Sequence, residues 1–374
     1  MADNGIAKKY LEKTNDWLQL LFSDYGQKNQ ATNADVETVA QEAVRQLQWM
    51  KKRLLAEELH VGFVGLTNTG KSTLLNALFG ESVAPKWNGP CSSAPVEFRC
   101  GDRYRTVVHY KNSIRRIKTD CASAADLCEV IKRHATETGG LSGNTITKLV
   151  AEIPNPLLAN RLVIADTPGF GAAQVQTDEG RHQQSLLSYL PNVHQVFWVM
   201  RTDGSICLSK QEKDFYDQQL SDCCDDLVVT GMDHLDNANR EQFRQQFKQY
   251  CCEHLGVYFL RFHFVSGKQA VKAKQTGDET AIQATGIRRL ETRLTEVADT
   301  TARPGSIAAE MMTLCSDFGA WLNQFDTHSG TRNRWATGKV EWLNVLHFAG
   351  LLEPTDSHFT GWRNKLEIAL AGKN

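Results

Sequence analysis

The sequence predicts an α/β domain with a mostly parallel central sheet flanked by helices, and helical segments before and after it along the chain. Three observations point there. Strand-like and helix-like stretches alternate between residues 59 and 298. A short apolar run at 61–64 feeds Gly65-Leu66-Thr67-Asn68-Thr69-Gly70-Lys71-Ser72-Thr73, a loop of the form G-x-x-x-x-G-K-S, and helix-prone Leu74-Leu75-Asn76-Ala77-Leu78-Phe79 follows it. At both ends of the chain, apolar residues recur at spacings of three and four.

In order, residues 1–58 are expected to be helical. Tyr10, Leu11, Trp17, Leu18 and Leu21 share one helical face, and Val36, Val39, Ala40, Ala43, Val44, Leu47, Met50 and Leu54 form a second stripe. A stripe so regular reads as a packing face. Strands are expected at 60–64, 107–110, 149–153, 161–165, 195–200, 227–230 and 262–265. Helices are expected at 71–80, 122–136, 178–190, 209–220, 238–254 and 286–299. Pro304-Gly305 punctuates the chain. Three segments follow: 1–58 helical, 59–298 α/β, and 299–374 helical. The last begins with Ile307, Met311, Leu314, Phe318, Trp321 and Phe325 at alternating three and four, and further helices are expected over 335–352 and 362–370.

Composition narrows the class. With 42 basic and 43 acidic residues the formal net charge is −1, so nothing in the balance calls for nucleic acid, and none is expected as a partner. No apolar run approaches the length of a membrane-spanning helix. The N-terminus shows no basic stretch followed by an apolar core, so no secretory signal is expected. The 10 cysteines are sparse for the length and lack C-x-x-C spacing, which fits reduced thiols in a cytosol.

Each motif carries its own chemistry. Gly65 and Gly70 let the backbone turn so that N–H groups of Leu66 to Thr73 face phosphates at a helix N-terminus. Lys71 reaches toward β- and γ-phosphates, and the Ser72 hydroxyl suits Mg²⁺. Leu162-Val163-Ile164-Ala165 leads into Asp166-Thr167-Pro168-Gly169, whose carboxylate can hold Mg²⁺ through water and whose Gly169 N–H can sense a γ-phosphate. Thr230-Gly231-Met232-Asp233 stands where a guanine-reading [N/T]-K-x-D is expected. Asp233 would accept from guanine N1–H and N2–H₂, which adenine does not offer. Gly231 replaces the usual lysine, whose stem covers the base. Ser266-Gly267-Lys268 fits the loop whose backbone touches the base edge.

With these residues in view, the sequence resembles the P-loop GTPases and, more narrowly, the bacterial dynamin-like proteins. Asp166 follows Lys71 by about 95 residues, a gap similar to dynamin-type domains. The stretch 90–101, beginning Pro90-Cys91-Ser92-Ser93-Ala94-Pro95, looks like the family's P-x-T-A switch I followed by a strand, and 152–158 and 208–215 resemble its linking motifs. The resemblance implies a Mg²⁺-dependent GTPase that turns GTP into GDP and phosphate. It puts the switch I ligand on Ser92, with Ser93 one place away, beside Ser72 and Asp166. It sets Thr67 and Asn68, with Lys71, Ser72 and Ser92, in the catalytic positions, although eukaryotic dynamins carry Gln-Ser where this chain has Thr67-Asn68. It implies a helical neck or bundle from the terminal segments, and association with a second copy or a partner dynamin-like subunit through the GTPase domain. It also implies a cytoplasmic protein with peripheral membrane contact. Arg99 and Arg103 are the nearest candidates for an arginine finger. Two alternatives stand beside this expectation: an Era-type ribosome- or RNA-linked regulator, and a GTP-binding interaction protein with little turnover.

Overall fold

A nine-stranded sheet organises the larger part of the chain, in the order β4-β3-β5-β2-β6-β1-β7-β8-β9. The computed structural model describes residues 34–85, 94–110, 116–135, 146–170, 185–220, 224–255 and 261–299, with single helical positions within 8–27 and 307–314. The strands are β1 Leu59–Val64, β2 Val96–Cys100, β3 Arg105–Tyr110, β4 Arg116–Asp120, β5 Ile146–Ile153, β6 Leu162–Asp166, β7 Gln195–Arg201, β8 Cys224–Thr230 and β9 Arg261–Phe264. The helices are α1 Ala34–Leu55, α2 Lys71–Phe79, α3 Ala124–Ala135, α4 Lys210–Phe215, α5 Asn237–Leu255, α6 Gly267–Thr276, α7 Glu279–Ala284 and α8 Ile287–Ala298.

Neighbouring strands from β6 through β1, β7 and β8 to β9 pair in parallel. β2 pairs in parallel with β5 but runs antiparallel to β6, and β3 is antiparallel to both of its neighbours. The sheet is therefore mostly parallel, as expected, with a mixed end. Side chains alternate across it as the pleat requires. One face, with Phe63, Phe98, Ile164, Phe197 and Val228, packs under Leu74, Leu75 and Leu78 of α2 and Leu290 and Leu294 of α8. The other, with Val64, Trp198 and Val229, packs against Phe215, Phe243 and Phe247. Each such apolar side chain contributes about 1.5–3 kcal/mol when taken out of water.

Beneath α8, four elements converge on one buried carboxylate. Asp226 of β8 accepts from Gln195 Nε2 at 3.0 Å and from Arg293 Nε at 3.2 Å, and lies 2.8 Å from His263 Nε2. Burial alone would raise its pKa; the His263 hydrogen bond and the Arg293 charge outweigh it and hold the carboxyl below its usual value.

Two compact units divide the chain: Glu57–Ala298, and Met1–Ala56 with Asp299–Asn374. In the second, Ala40, Ala43, Leu47, Met50 and Leu54 form the buried stripe of α1, and Leu11, Leu18, Ile307 and Met311 are also buried. Asn15 Nδ2 donates to the Leu47 carbonyl at 2.8 Å, and Arg53 pairs with Glu310. No helix among the described residues is long and apolar enough to cross a membrane.

Several expectations need correction. β4 has no counterpart among the expected strands, and α6 and α7 none among the expected helices. The helix expected at 209–220 is α-helical only to Phe215 and continues as a π-helical turn, Tyr216–Leu220. The helices expected over 335–352 and 362–370, Ser92, Ser93 and residues 171–184 lie outside the described residues.

Candidate nucleotide site

Five parallel strands end along one edge, with Val64, Asp166, Arg201, Thr230 and Phe264 as their last residues. The crevice outside the carboxyl ends of such strands is where open α/β sheets bind ligands. The loop after β1 lies directly on β7: a Cβ at Gly65 would collide with the Val199 carbonyl oxygen, so only glycine fits. Asn68 (φ 66°) and Gly70 (φ 88°) supply the two left-handed turns that bring the chain into α2. Thr69 Oγ1 donates to Leu66 O at 2.9 Å. From β8, Thr230 Oγ1 donates to Thr69 O at 2.5 Å, with Met200 O a second acceptor at 3.1 Å. The N-cap of α2 is Gly70, which offers no side-chain cap to the first-turn N–H groups. Lys71 is buried, and its Nζ donates to Gly65 O at 3.0 Å and Leu66 O at 2.9 Å.

One turn along, Ser72 Oγ donates to Asp166 Oδ2 at 2.8 Å. Burial pushes the Asp166 carboxyl up, only partly opposed by the Lys71 charge and the Ser72 hydrogen bond. A buried carboxylate short of positive charge beside a hydroxyl fits a hard divalent cation with oxygen ligands, so the residues present suit Mg²⁺. Thr167 Oγ1 fixes the next step by donating to Phe63 O at 2.8 Å. Leu66 bridges Phe170 in parallel, and Thr67 N–H donates to Phe170 O at 3.1 Å, so the loop and the Asp166-Thr167-Pro168-Gly169 segment run side by side. Gly169 packs on Thr67, where a Cβ would stand 2.8 Å from its Cα. The Thr67 hydroxyl is buried there without a hydrogen-bond partner, while Asn68 is exposed. Phe170 stacks on Phe215 with ring centroids 3.7 Å apart.

At the far end of the same edge, Asp233 sits in the 3₁₀ turn Met232–His234 that follows Thr230 and Gly231. Ser266 is buried, and its N–H donates to Thr285 O at 3.0 Å. Gly267 lies against Thr73 and Leu74 of α2, and Lys268 is exposed. Ser266, Gly267 and Lys268 thus reach the expected place, but as the start of α6 rather than as a loop, because Ser266 already stands at the helix N-cap.

The edge gathers Gly65 through Thr73, Asp166, Gly169, Thr230, Asp233 and Ser266 through Lys268. It does not gather the arginines. Arg99 lies toward the amino end of β6 and is held by Glu58 at 2.8 Å and Glu97 at 3.0 Å, and Arg103 lies near Asp102 and Asp120. Two residues with no motif of their own join the edge: Arg201, the last of β7, and His234, 3.2 Å apart between Nη2 and Nε2. Position at a strand end was the one signal in the sequence that could have found Arg201.

The sequence profile of the Dynamin family matches residues 61–229. Among curated proteins, the chain is 24% identical over 246 residues to a bacterial dynamin-like protein of Nostoc punctiforme, across 60% of this chain and 34% of that protein. It is 22% identical over 296 residues to Dynamin-like protein 2 of Campylobacter jejuni, across 73% of this chain and 42% of that one. The chain therefore spans less than half the length of either relative. A solved structure of an oligomerised bacterial dynamin pair, described as providing a mechanism for long-range sensing and tethering of membranes, shares its fold. The TM-score is 0.50 at 16% identity, over 95% of this chain and 64% of that one.

Proposed function

We propose, for a chain whose central domain is of the dynamin family and of the bacterial dynamin-like kind, that it binds GTP and hydrolyses it to GDP and phosphate. The observation that carries this reading is the Ser72 hydroxyl on the Asp166 carboxylate, 2.8 Å apart beside the buried Lys71. The first-turn N–H groups of α2 bind the phosphates, and Lys71 exchanges the Gly65 and Leu66 carbonyls for β- and γ-phosphate oxygens. Asp233 selects guanine by accepting from the N1–H and N2–H₂ of the base. The Thr67 hydroxyl, which lacks a partner and lies against Gly169, would accept from or donate to an attacking water or donate to a γ-phosphate oxygen. Ser72, Asp166 and, from switch I, Ser92 would hold Mg²⁺, which would supply charge neutralisation at the transferring phosphoryl group. Switch I around Ser92 and switch II from Asp166 to Ala172 would order around the γ-phosphate and be released on hydrolysis.

The readout is association of GTPase domains, with a second copy or a partner dynamin-like subunit, acting at a membrane from the cytoplasmic side. Support for it is the fold shared with the dynamin pair. A slow-turnover variant of the same reading rests on Thr67 and Asn68 standing where eukaryotic dynamins carry Gln-Ser.

Nucleotide binding and phosphate release by the full chain test the proposal. Lys71→Ala is expected to weaken GTP binding by at least about a hundredfold, since a buried charge on the phosphates is lost. Asp233→Asn is expected to turn preference from guanine to xanthine nucleotides. Tight GTP binding by the first variant, or unchanged base preference in the second, sinks the assignment. Phosphate release with and without liposomes, alongside oligomeric state in GDP and a GTP analogue, reads out the association step.

A further inference from the structure

The guanine-reading pattern normally lays a lysine stem over the base, and here that position is Gly231. The glycine is a consequence of local geometry rather than a simple deletion of the cover. Gly231 has φ +82°, and a Cβ there would stand 2.6 Å from the Thr202 carbonyl oxygen, so no lysine fits this backbone. The same Cβ would stand 3.3 Å from Cγ of Arg201. The space a lysine stem would start from is therefore bordered by the stem of another cationic residue.

Arg201 ends β7 and lies opposite Thr230 of β8, the residue before Gly231. It is exposed. Its guanidinium lies 3.2 Å from His234 Nε2, and His234 Nε2 lies 4.0 Å from the carboxylate of Asp233. Among the described residues the structure gives Arg201 no carboxylate partner. A planar cation on an exposed side chain thus lies next to His234, which in turn neighbours the group that would read the base edge. Guanidinium planes stack on aromatic rings, and such stacking does not depend on the groups along the base edge.

We propose that Arg201 is a base-binding residue, supplying from the end of β7 the cover over guanine that Gly231 cannot. This rests on the guanine site proposed above. It adds a distinct expectation: base affinity and base choice are separated, with Arg201 setting the first and Asp233 the second.

Calorimetric titration of the full chain with GDP, ADP, xanthosine diphosphate and inorganic pyrophosphate tests it, on the parent, Arg201→Ala, Arg201→Lys, Asp233→Asn and the double variant Arg201→Ala with Asp233→Asn. Thermal unfolding confirms that each variant is folded, as an exposed position leads one to expect. Arg201→Ala is expected to bind GDP roughly ten- to hundredfold more weakly, the range for loss of a base-stacking partner, with pyrophosphate binding unchanged. Arg201→Lys restores part of the loss. Adding Arg201→Ala to Asp233→Asn weakens xanthosine diphosphate by a similar factor, because the cover does not read the edge. GDP binding by Arg201→Ala within twofold of the parent overturns the assignment. So does an equal loss of GDP and pyrophosphate, which would put Arg201 on the phosphates. If the parent binds GDP no better than ADP, or Asp233→Asn leaves base choice unmoved, the guanine site itself fails and takes this inference with it.

Discussion

At the scale of single residues, the nucleotide edge is built from positions whose identity the backbone dictates. Gly65 is dictated by the Val199 carbonyl, and Gly231 by its left-handed φ and the Thr202 carbonyl. The second case makes an unusual prediction. Gly231→Lys would bring the familiar guanine-reading pattern back into the sequence, yet it is expected to cost about 1–3 kcal/mol of stability and to leave GDP binding no tighter. Urea unfolding with parallel GDP titration checks this, and a stable variant with improved affinity would contradict the backbone argument. The motif residues were legible because their spacing is set by phosphate chemistry. Arg201 was not, because an arginine after an apolar run has no pattern of its own until the neighbouring strand places Gly231 beside it.

At the scale of elements, what was legible tracks how much of a strand or helix is buried. β1, β6, β7 and β8 are covered on both faces and read as apolar runs. β4, Arg-Ile-Lys-Thr-Asp at the sheet's edge, exposes Arg116, Lys118 and Asp120 and packs only Ile117 inward, so no apolar alternation announced it. α6 hides just as well: Gly-Lys-Gln-Ala-Val-Lys-Ala-Lys-Gln-Thr buries only small residues and one valine. The four elements around Asp226 give a test at this scale. Its folded pKa is depressed, so its stabilisation is present above the unfolded value and is lost as pH falls through the folded one. Asp226→Asn leaves Arg293 buried without its counter-charge and is expected to cost about 3–5 kcal/mol at pH 7. That difference should shrink as pH falls below about 4, where the carboxyl of the unfolded chain begins to protonate while the folded one is still ionised. Urea unfolding of both proteins at pH 7 and pH 3 measures it; an equal gap at the two pH values would mean the ion pairs contribute little.

At the scale of the whole molecule, the division into two units has a direct consequence. Glu57–Ala298 contains the sheet, both apolar layers and every described residue of the nucleotide edge. Produced as a separate fragment, it is expected to unfold in one cooperative transition and to bind GDP within a few-fold of the full chain. A fragment without a melting transition would show that the other unit is needed for folding.

Thr230 gives that fragment a property beyond stability. One hydroxyl from the end of β8 reaches the Thr69 carbonyl in the phosphate loop and the Met200 carbonyl at the end of β7. The strand that leads into Gly231 and Asp233 is thereby fastened to the loop that leads into Lys71 and Ser72. Folding, not ligand, meets the entropic cost of aligning the two halves of the cradle. A nucleotide bound as proposed would meet preorganised walls, and a base that fitted badly at one end would misplace its phosphates at the other.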